Sequence, residues 1–209
     1  MIIVITYLFL LFLTFLLYPH SLKYYLLPLY LLSVPLLLKG RINIRFSFLD
    51  LAYGLFLSTI ILVPFALIFI KGFSFIHPFT PSPLHPFTHS PIHPFTYNIP
   101  LEILIYQLFG VAFPEEVFFR GFLQERLGNN MRAVIVVSLL FAINHLPAFL
   151  FNKDPLALLT FFPSLVMGAL YRKTGNLLPS IIFHFLSNLL FYLSTFSSQR
   201  LELLCLSRH

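Results

Sequence analysis

Long apolar runs separated by short polar breaks dominate the chain. Runs of about 17–25 apolar residues are long enough to cross a bilayer as helices. Seven such runs can be drawn, at 2–18, 22–38, 49–70, 100–127, 131–150, 156–172 and 177–195. The pattern therefore predicts an all-α fold, a polytopic membrane helix bundle with about seven transmembrane helices.

The composition supports a lipid environment. Of the 209 residues, 58% are hydrophobic and only 10% are charged, whereas a soluble domain has about 25% charged residues. The net charge of +6 comes from basic residues that lie mainly at the ends of the apolar runs. There they act as topology signals, so nucleic acid is not expected as a partner.

The distribution of lysine and arginine predicts how the bundle is oriented. With the N-terminus in the cytoplasm, seven basic residues fall in cytoplasmic turns and three in the opposite turns. The cytoplasmic group consists of Lys39, Arg41, Arg45, Arg126, Arg132, Arg172 and Lys173. The opposite group consists of Lys23, Lys71 and Lys153. This bias favours the stated orientation. We expect a multi-pass protein of a prokaryotic plasma membrane, or of the endoplasmic reticulum if the source is eukaryotic.

A short repeat separates the third and fourth runs. His77, His85 and His93 each begin the tetrapeptide His-Pro-Phe-Thr, at intervals of eight residues. Such proline density excludes helix and interior strand, so we expect an extended surface loop rather than a metal site. The predicted division is 1–98 for the N-terminal helices with their loop at 71–98, 99–195 for a core of four apolar runs, and 196–209 for a tail.

Ionisable and amide side chains concentrate in the apolar runs of the second half. A charged group in a membrane span costs about 2.5–3.5 kcal/mol on insertion scales, so each needs an explanation. They form three clusters: Pro114-Glu115-Glu116 with Arg120, Phe141 with Asn144-His145, and His184 with Asn188. The first three runs hold almost none, which assigns the function to the second half of the chain.

Helix geometry predicts that these clusters meet. Glu115 precedes the turn at 128–130 by thirteen residues, and His145 follows it by fifteen. With a rise of about 1.5 Å per residue, both lie roughly 20 Å from the turn and hence at a similar depth. His184 and Asn188 are four residues apart and share one face of the last helix.

The acidic motif has a structural partner of its own. Glu116 and Arg120 are spaced i and i+4, in the favourable order for an ion pair within a helix. Pro114 is expected to kink or loosen the helix just before the two glutamates and to admit water there.

The residue types limit the chemistry. No Ser-His-Asp set is present in the apolar runs, and Asp50 and Asp154 lie at the ends of runs, which excludes an aspartyl dyad. A carboxylate and a histidine can instead activate water, while a second histidine and an asparagine amide supply donors to an oxyanion. This combination suits peptide-bond hydrolysis. Each polar residue alone is also compatible with a helix–helix contact.

At these positions the chain resembles a known family, the type II CAAX prenyl proteases and bacteriocin-processing (CPBP) membrane proteins. The family motifs are E-E-x-x-x-R, F-x-x-x-H and H-x-x-x-N on successive core helices. They read here as Glu115-Glu116 with Arg120, Phe141 with His145, and His184 with Asn188, with Gly121 directly after the arginine. The resemblance covers about 100–194.

The resemblance implies an intramembrane endopeptidase that acts on membrane-anchored substrates. Prenylated CAAX tails are the family's best-known target, and other membrane-anchored peptides are the alternative. The resemblance also implies that Glu115 and His145 activate water, that His184 and Asn188 form the oxyanion site, and that Glu116 and Arg120 hold the first motif in place. No cofactor is favoured. Zinc bound by Glu115, His145 and His184 is the alternative, although the asparagine four residues after His184 is a poor zinc ligand.

Two other functions remain open from the sequence. Members of the resembled family are linked to self-immunity against bacteriocins, so a catalytically silent membrane partner is one alternative. A proton-coupled transporter is the other, because membrane glutamates and histidines also relay protons. A transporter predicts internal repeats with paired broken helices, and we find no such symmetry in the sequence.

Overall fold

The computed structural model describes residues 1–76 and 99–206, and every regular element in these ranges is helical. The predicted all-α fold is therefore confirmed for this part of the chain. The three His-Pro-Phe-Thr repeats lie outside the described residues.

The helices follow the predicted runs closely. In chain order they are α1 Ile2–Leu17, α2 Lys23–Leu37, α3 Phe48–Ile76, α4 Leu101–Ile105, α5 Phe113–Glu116, α6 Met131–Asn144, α7 Leu146–Asn152, α8 Phe161–Thr174 and α9 Leu177–Leu206. Two π-helical segments, Tyr106–Ala112 and Val117–Gln124, join α4 to α5 and extend α5. A 3-10 helix, Pro155–Thr160, leads into α8.

Three boundaries differ from the sequence prediction. Helix α3 continues to Ile76, so 71–76 are helical and not loop, because the first proline after Pro64 is Pro78. Helix α9 continues to Leu206 and takes up most of the predicted tail, since no glycine or proline follows Pro179 to stop it. The fifth run is not one continuous helix, because α6 ends at Asn144 and α7 begins at Leu146.

Several helices suit a lipid environment. Two helical stretches, Met131–Asn152 across the break at His145 and Pro155–Thr174, of 22 and 20 residues, are long and apolar enough to cross a membrane. Shorter apolar helices in the described ranges are Ile2–Leu17, Lys23–Leu37, Phe48–Pro64 and Leu177–Leu193. Large apolar side chains such as Phe12, Phe56 and Phe162 are exposed on the helix surfaces. These features fit an integral membrane protein.

Aromatic side chains form the core beneath the polar cluster. Phe118, Phe119, Phe122, Phe141 and Phe183 are buried and belong to one hydrophobic cluster. Their rings bring together the π-helical segment after α5, helix α6 and helix α9. A close-packed interior of this kind holds side chains in fixed rotamers, so the core supports the polar groups above it.

The connection between α2 and α3 binds directly to the second half of the chain. The backbone N–H of Arg41 donates to the carbonyl of Gly121 at 2.8 Å, and Leu177 N–H donates to the carbonyl of Asn43 at 2.9 Å. A Cβ atom at Gly121 would lie only 2.9 Å from the Arg41 carbonyl oxygen. The glycine after the motif arginine is therefore required for this close backbone approach.

Candidate active site

The two glutamates lie on α5, between the two π-helical segments. Pro114 is in the first turn of α5, so the loosening predicted for this helix takes the form of π-helical bonding on both sides of the acidic pair. Such i→i+5 bonding occurs frequently at functional sites. Glu116 is fully buried, whereas the Glu115 side chain is 15% exposed.

Glu116 belongs to a buried ion pair. Arg120 Nη1 donates to Glu116 Oε1 at 2.8 Å, and both side chains are 0% exposed. Arg120 Nη2 donates to the Ser164 carbonyl at 3.0 Å and to Ser164 Oγ at 2.7 Å. Ser164 is on α8, so the pair also ties the acidic helix to a second helix.

His184 lies between the two glutamates. Its Nδ1 is 2.9 Å from Glu116 Oε1, and its Nε2 is 3.7 Å from Glu115 Oε2. An ionised carboxylate can only accept a hydrogen bond, so the Nδ1 atom carries the proton. The Nε2 atom faces Glu115 at a distance too long for a hydrogen bond. His184 is 4% exposed.

Both glutamates have a buried Oε2 atom that makes no hydrogen bond with any described residue. Glu115 differs from Glu116 in its exposure and its partners, because Glu116 is 0% exposed and pairs with Arg120, whereas Glu115 is 15% exposed. Most buried polar atoms in native proteins have a partner, and an exception calls for an explanation. A carboxylate oxygen that is buried, unpaired and adjacent to an imidazole is suited to accept a proton from a bound molecule.

The orientation of His145 follows from the end of helix α6. The His145 N–H bonds to the carbonyl of Ala142 at 3.0 Å, one residue short of the α-helical partner. The carbonyl of Phe141 then bonds to His145 Nδ1 at 2.8 Å. A carbonyl only accepts, so Nδ1 is protonated and Nε2 is the basic nitrogen.

Phe141 connects the two histidines. Its ring centroid lies 4.7 Å from that of His145 and 5.7 Å from that of His184. The Arg120 guanidinium carbon is 5.1 Å from the same centroid, within the range of a cation–π contact. The aromatic motif residue therefore packs at the centre of the cluster.

Asn188 lies one turn beyond His184 on α9 and contacts a different helix. Its Nδ2 donates to Gln107 Oε1 at 3.2 Å, from the π-helical segment that precedes α5. An amide nitrogen has two hydrogens, so one is available for another acceptor. Gln107 therefore orients the Asn188 amide.

The structure brings most of the predicted site residues into one cluster. Glu115, Glu116 and His184 are in mutual contact, and His145 joins them through Phe141. The sequence analysis did not single out Ser164 or Gln107. The available signal was weak, namely a polar side chain inside an apolar run. The catalytic roles of all these residues stay predictions.

The alternative zinc site does not fit the geometry of the described residues. No three His, Cys, Asp or Glu side chains among them lie close enough to hold one metal ion.

Comparison with known proteins gives a family match for part of the chain. Residues 98–190 match the family model described as type II CAAX prenyl endopeptidase Rce1-like. This stretch is an Rce1-like domain. The match confirms the resemblance that the three motifs indicate, and it assigns the domain to a protease family. No curated protein and no solved structure matches the chain.

The Rce1-like domain contains all the candidate site residues, from Gln107 to Asn188. Helices α1, α2 and α3 lie outside the matched stretch. The domain nevertheless contacts them. Tyr7 of α1 donates to the Leu140 carbonyl, the Tyr30 ring of α2 packs on Phe118, and Lys173 donates to Tyr53 of α3.

Changing Ser164 to alanine is expected to lower the thermal stability of the protein moderately. The substitution removes a hydrogen bond to a buried guanidinium, worth about 1.5–3 kcal/mol, while the Ser164 carbonyl still accepts from Arg120. The measurement is the fraction of purified protein that stays monodisperse after heating in detergent. Ser180→Ala is the control, because Ser180 is also buried but donates only to the Leu177 carbonyl of its own helix. Equal losses in both variants would contradict the prediction.

Proposed function

We propose that the protein is an intramembrane endopeptidase that cleaves a membrane-anchored substrate with water activated by Glu115 and His145. The match to a type II CAAX prenyl endopeptidase family supports a prenylated, CAAX-type substrate. The observation that carries the proposal is the buried, unpaired Oε2 atom of Glu115 beside His184. Glu116 also has an unpaired Oε2 atom, but its side chain is 0% exposed and already pairs with Arg120 and His184. Glu115 is 15% exposed, so it is the carboxylate that a water molecule can reach.

The proposed reaction is a hydrolysis in which every proton has an assigned position. Glu115 takes a proton from a water molecule while the oxygen of that water attacks the carbonyl carbon of the scissile peptide bond. His145 Nε2 accepts the second hydrogen of that water as a hydrogen bond. The C–N bond then breaks, and the proton on Glu115 passes to the leaving amine nitrogen.

The oxyanion formed in that step needs donors. Asn188 offers the amide hydrogen that Gln107 does not use. His184 donates from Nε2 when both its nitrogens are protonated, which leaves Nδ1 bonded to Glu116. In that form the charges of Glu115, Glu116, Arg120 and His184 cancel. A neutral cluster avoids an uncompensated charge in an apolar interior.

We also propose that the chain crosses the membrane about seven times, with the N-terminus in the cytoplasm. The apolar helices in both halves and the excess of basic residues in the predicted cytoplasmic turns support this topology. A prokaryotic plasma membrane is the proposed location, and the endoplasmic reticulum is the alternative.

The test is cleavage by purified protein in liposomes of a fluorescence-quenched peptide with a farnesylated CAAX end. We expect cleavage by the wild type that persists with a zinc chelator, since the described residues form no three-ligand site. Loss of cleavage on chelation, restored by added zinc, would overturn the metal-independent mechanism. An unprenylated peptide of the same sequence shows whether the lipid group is required.

A catalytically silent membrane partner is the second candidate function. It predicts no cleavage of either peptide by the wild type, and unchanged biological activity when Glu115 is replaced. The partly exposed Glu115 carboxylate, with its unpaired Oε2 atom 3.7 Å from His184 Nε2, favours the peptidase.

A further inference from the structure

Helix α1 lies outside the Rce1-like domain, yet it binds the helix that carries His145. Tyr7 Oη donates to the Leu140 carbonyl at 2.8 Å. The Thr14 hydroxyl is shared between the Leu10 carbonyl of its own helix, at 2.8 Å, and Asn144 Oδ1, at 3.0 Å. The residue numbers of the contacts increase together along α1 and α6, so the two helices run parallel. Tyr7, Thr14 and Asn144 are all buried.

A third contact continues this interface past the break at His145. Asn152 Nδ2 donates to Tyr18 Oη at 2.6 Å. The Tyr18 ring also stacks on Phe151, with 5.5 Å between ring centroids and 20° between planes. Helix α1 therefore holds α6 before the break and α7 after it.

The Thr14 contact lies at the end of α6, directly before His145. Asn144 is the last residue of α6, and His145 follows with φ −89° and ψ 0°. This bridge region of backbone conformations is sparsely populated and is common at active sites. The bond from Nδ1 to the Phe141 carbonyl, which makes Nε2 the basic nitrogen, requires the helix to end at this residue.

We propose that Thr14 is a positioning residue for catalysis, which holds His145 Nε2 toward the reacting water through its hydrogen bond with Asn144. The proposal rests on the proposed function for its kinetic consequences. Its structural part, a His145 orientation that depends on α1, does not. Helix α1 thereby becomes a required part of the active site, although the family match begins at residue 98.

The first test is Thr14→Val, which keeps the side-chain shape and removes the hydroxyl. A small displacement of a catalytic group can cost about 10²-fold in rate, so we expect kcat to fall about tenfold to hundredfold. KM should stay unchanged because Thr14 is not placed in contact with substrate. Thr14→Ser retains the hydroxyl and should restore most of kcat.

The matched control is Thr6→Val, on the same helix. Thr6 Oγ1 donates only to the Ile3 carbonyl of α1 at 3.0 Å, so the substitution removes a hydroxyl without touching α6. Its kcat should equal that of the wild type. If Thr6→Val and Thr14→Val lower kcat equally, the effect belongs to α1 in general and the proposal is wrong.

A double-mutant cycle identifies the path from Thr14 to His145. If Thr14 acts through Asn144, then Thr14→Val should have no further effect on kcat in an Asn144→Ala background. Multiplicative effects of the two substitutions would overturn the proposal.

A chemical readout separates failure of this inference from failure of the proposed function. Diethyl pyrocarbonate modifies the unprotonated imidazole nitrogen, and mass spectrometry of the purified protein gives the rate at His145 relative to exposed His20. We expect Thr14→Val, but not Thr6→Val, to change that ratio. An unchanged ratio would overturn the inference even if the peptide is cleaved. A changed ratio without cleavage by the wild type would sustain it while the endopeptidase proposal fails.

Discussion

Replacing Glu115 with glutamine is expected to lower kcat by about 10²–10⁴-fold, the usual contribution of a general base. Glutamine has the same shape but cannot take a proton from water. The loss of stability should be small, because Glu115 Oε2 makes no hydrogen bond with the described residues and His184 can release one of its two protons to keep the cluster neutral. Cleavage of the quenched peptide gives kcat, and heating in detergent followed by size-exclusion chromatography gives the stability.

The control for this substitution is Glu102→Gln. Glu102 is an exposed glutamate in the first turn of α4, on the same helical stretch as Glu115. We expect its kcat and stability to match those of the wild type. Full activity of Glu115→Gln would remove the glutamate from the mechanism. Equal losses in both variants would point to a general sensitivity of this stretch to lost negative charge.

Local spacing was sufficient to predict some contacts of the site. The i,i+4 spacing of Glu116 and Arg120 predicts their ion pair without knowledge of any other helix, and the structure has it at 2.8 Å. Depth counted from a tight turn places Glu115 near His145 only to within one or two helical turns. It does not specify which atoms meet.

Residue spacing and depth along a helix could not predict the contacts between helices that are far apart in the sequence. Ser164 binds Arg120 across 44 residues of sequence, and nothing in the α8 pattern distinguishes it from a serine bonded to its own helix. The rotation of each helix about its axis decides such contacts, and apolar runs that are hydrophobic all round do not define it.

The conformation of His145 is a second feature that the sequence pattern obscured. Pro147 cannot donate to the carbonyl of Ile143, four residues earlier, which favours a helix end at this point. The apolar run continues through the break and suggests one helix from 131 to 150. The helix end at Asn144 frees the Phe141 carbonyl, which then fixes the tautomer of His145. The apolar run by itself does not predict this helix end.

Replacing Arg120 with methionine is expected to be the most destabilising of these changes. It leaves Glu116 as a fully buried charge without its guanidinium, and breaking a buried pair in this way costs about 3–5 kcal/mol. Activity should fall as well, because Glu116 also orients His184. The measurements are thermal resistance in detergent and kcat on the protein that remains folded.

The double variant Glu116→Gln with Arg120→Met separates the two effects. It removes both charges together and keeps an oxygen that can accept from His184 Nδ1, so most of the lost stability should return. The rate should stay about 10²–10³-fold below wild type, the usual cost of a lost oxyanion donor. In the wild type, two carboxylates stabilise a doubly protonated His184. In the double variant a neutral amide replaces one of them, so His184 loses the proton that it donates to the oxyanion.

Arg132→Met provides the reference for loss of a basic residue, since Arg132 is exposed in the first turn of α6. Its stability and kcat should match those of the wild type. If the double variant recovers both stability and rate, then Glu116 and Arg120 are a structural pair only and His184 does not need its carboxylate. If it recovers neither, the cost of Arg120→Met comes from the lost contacts with Ser164 and Phe141 rather than from an unpaired charge.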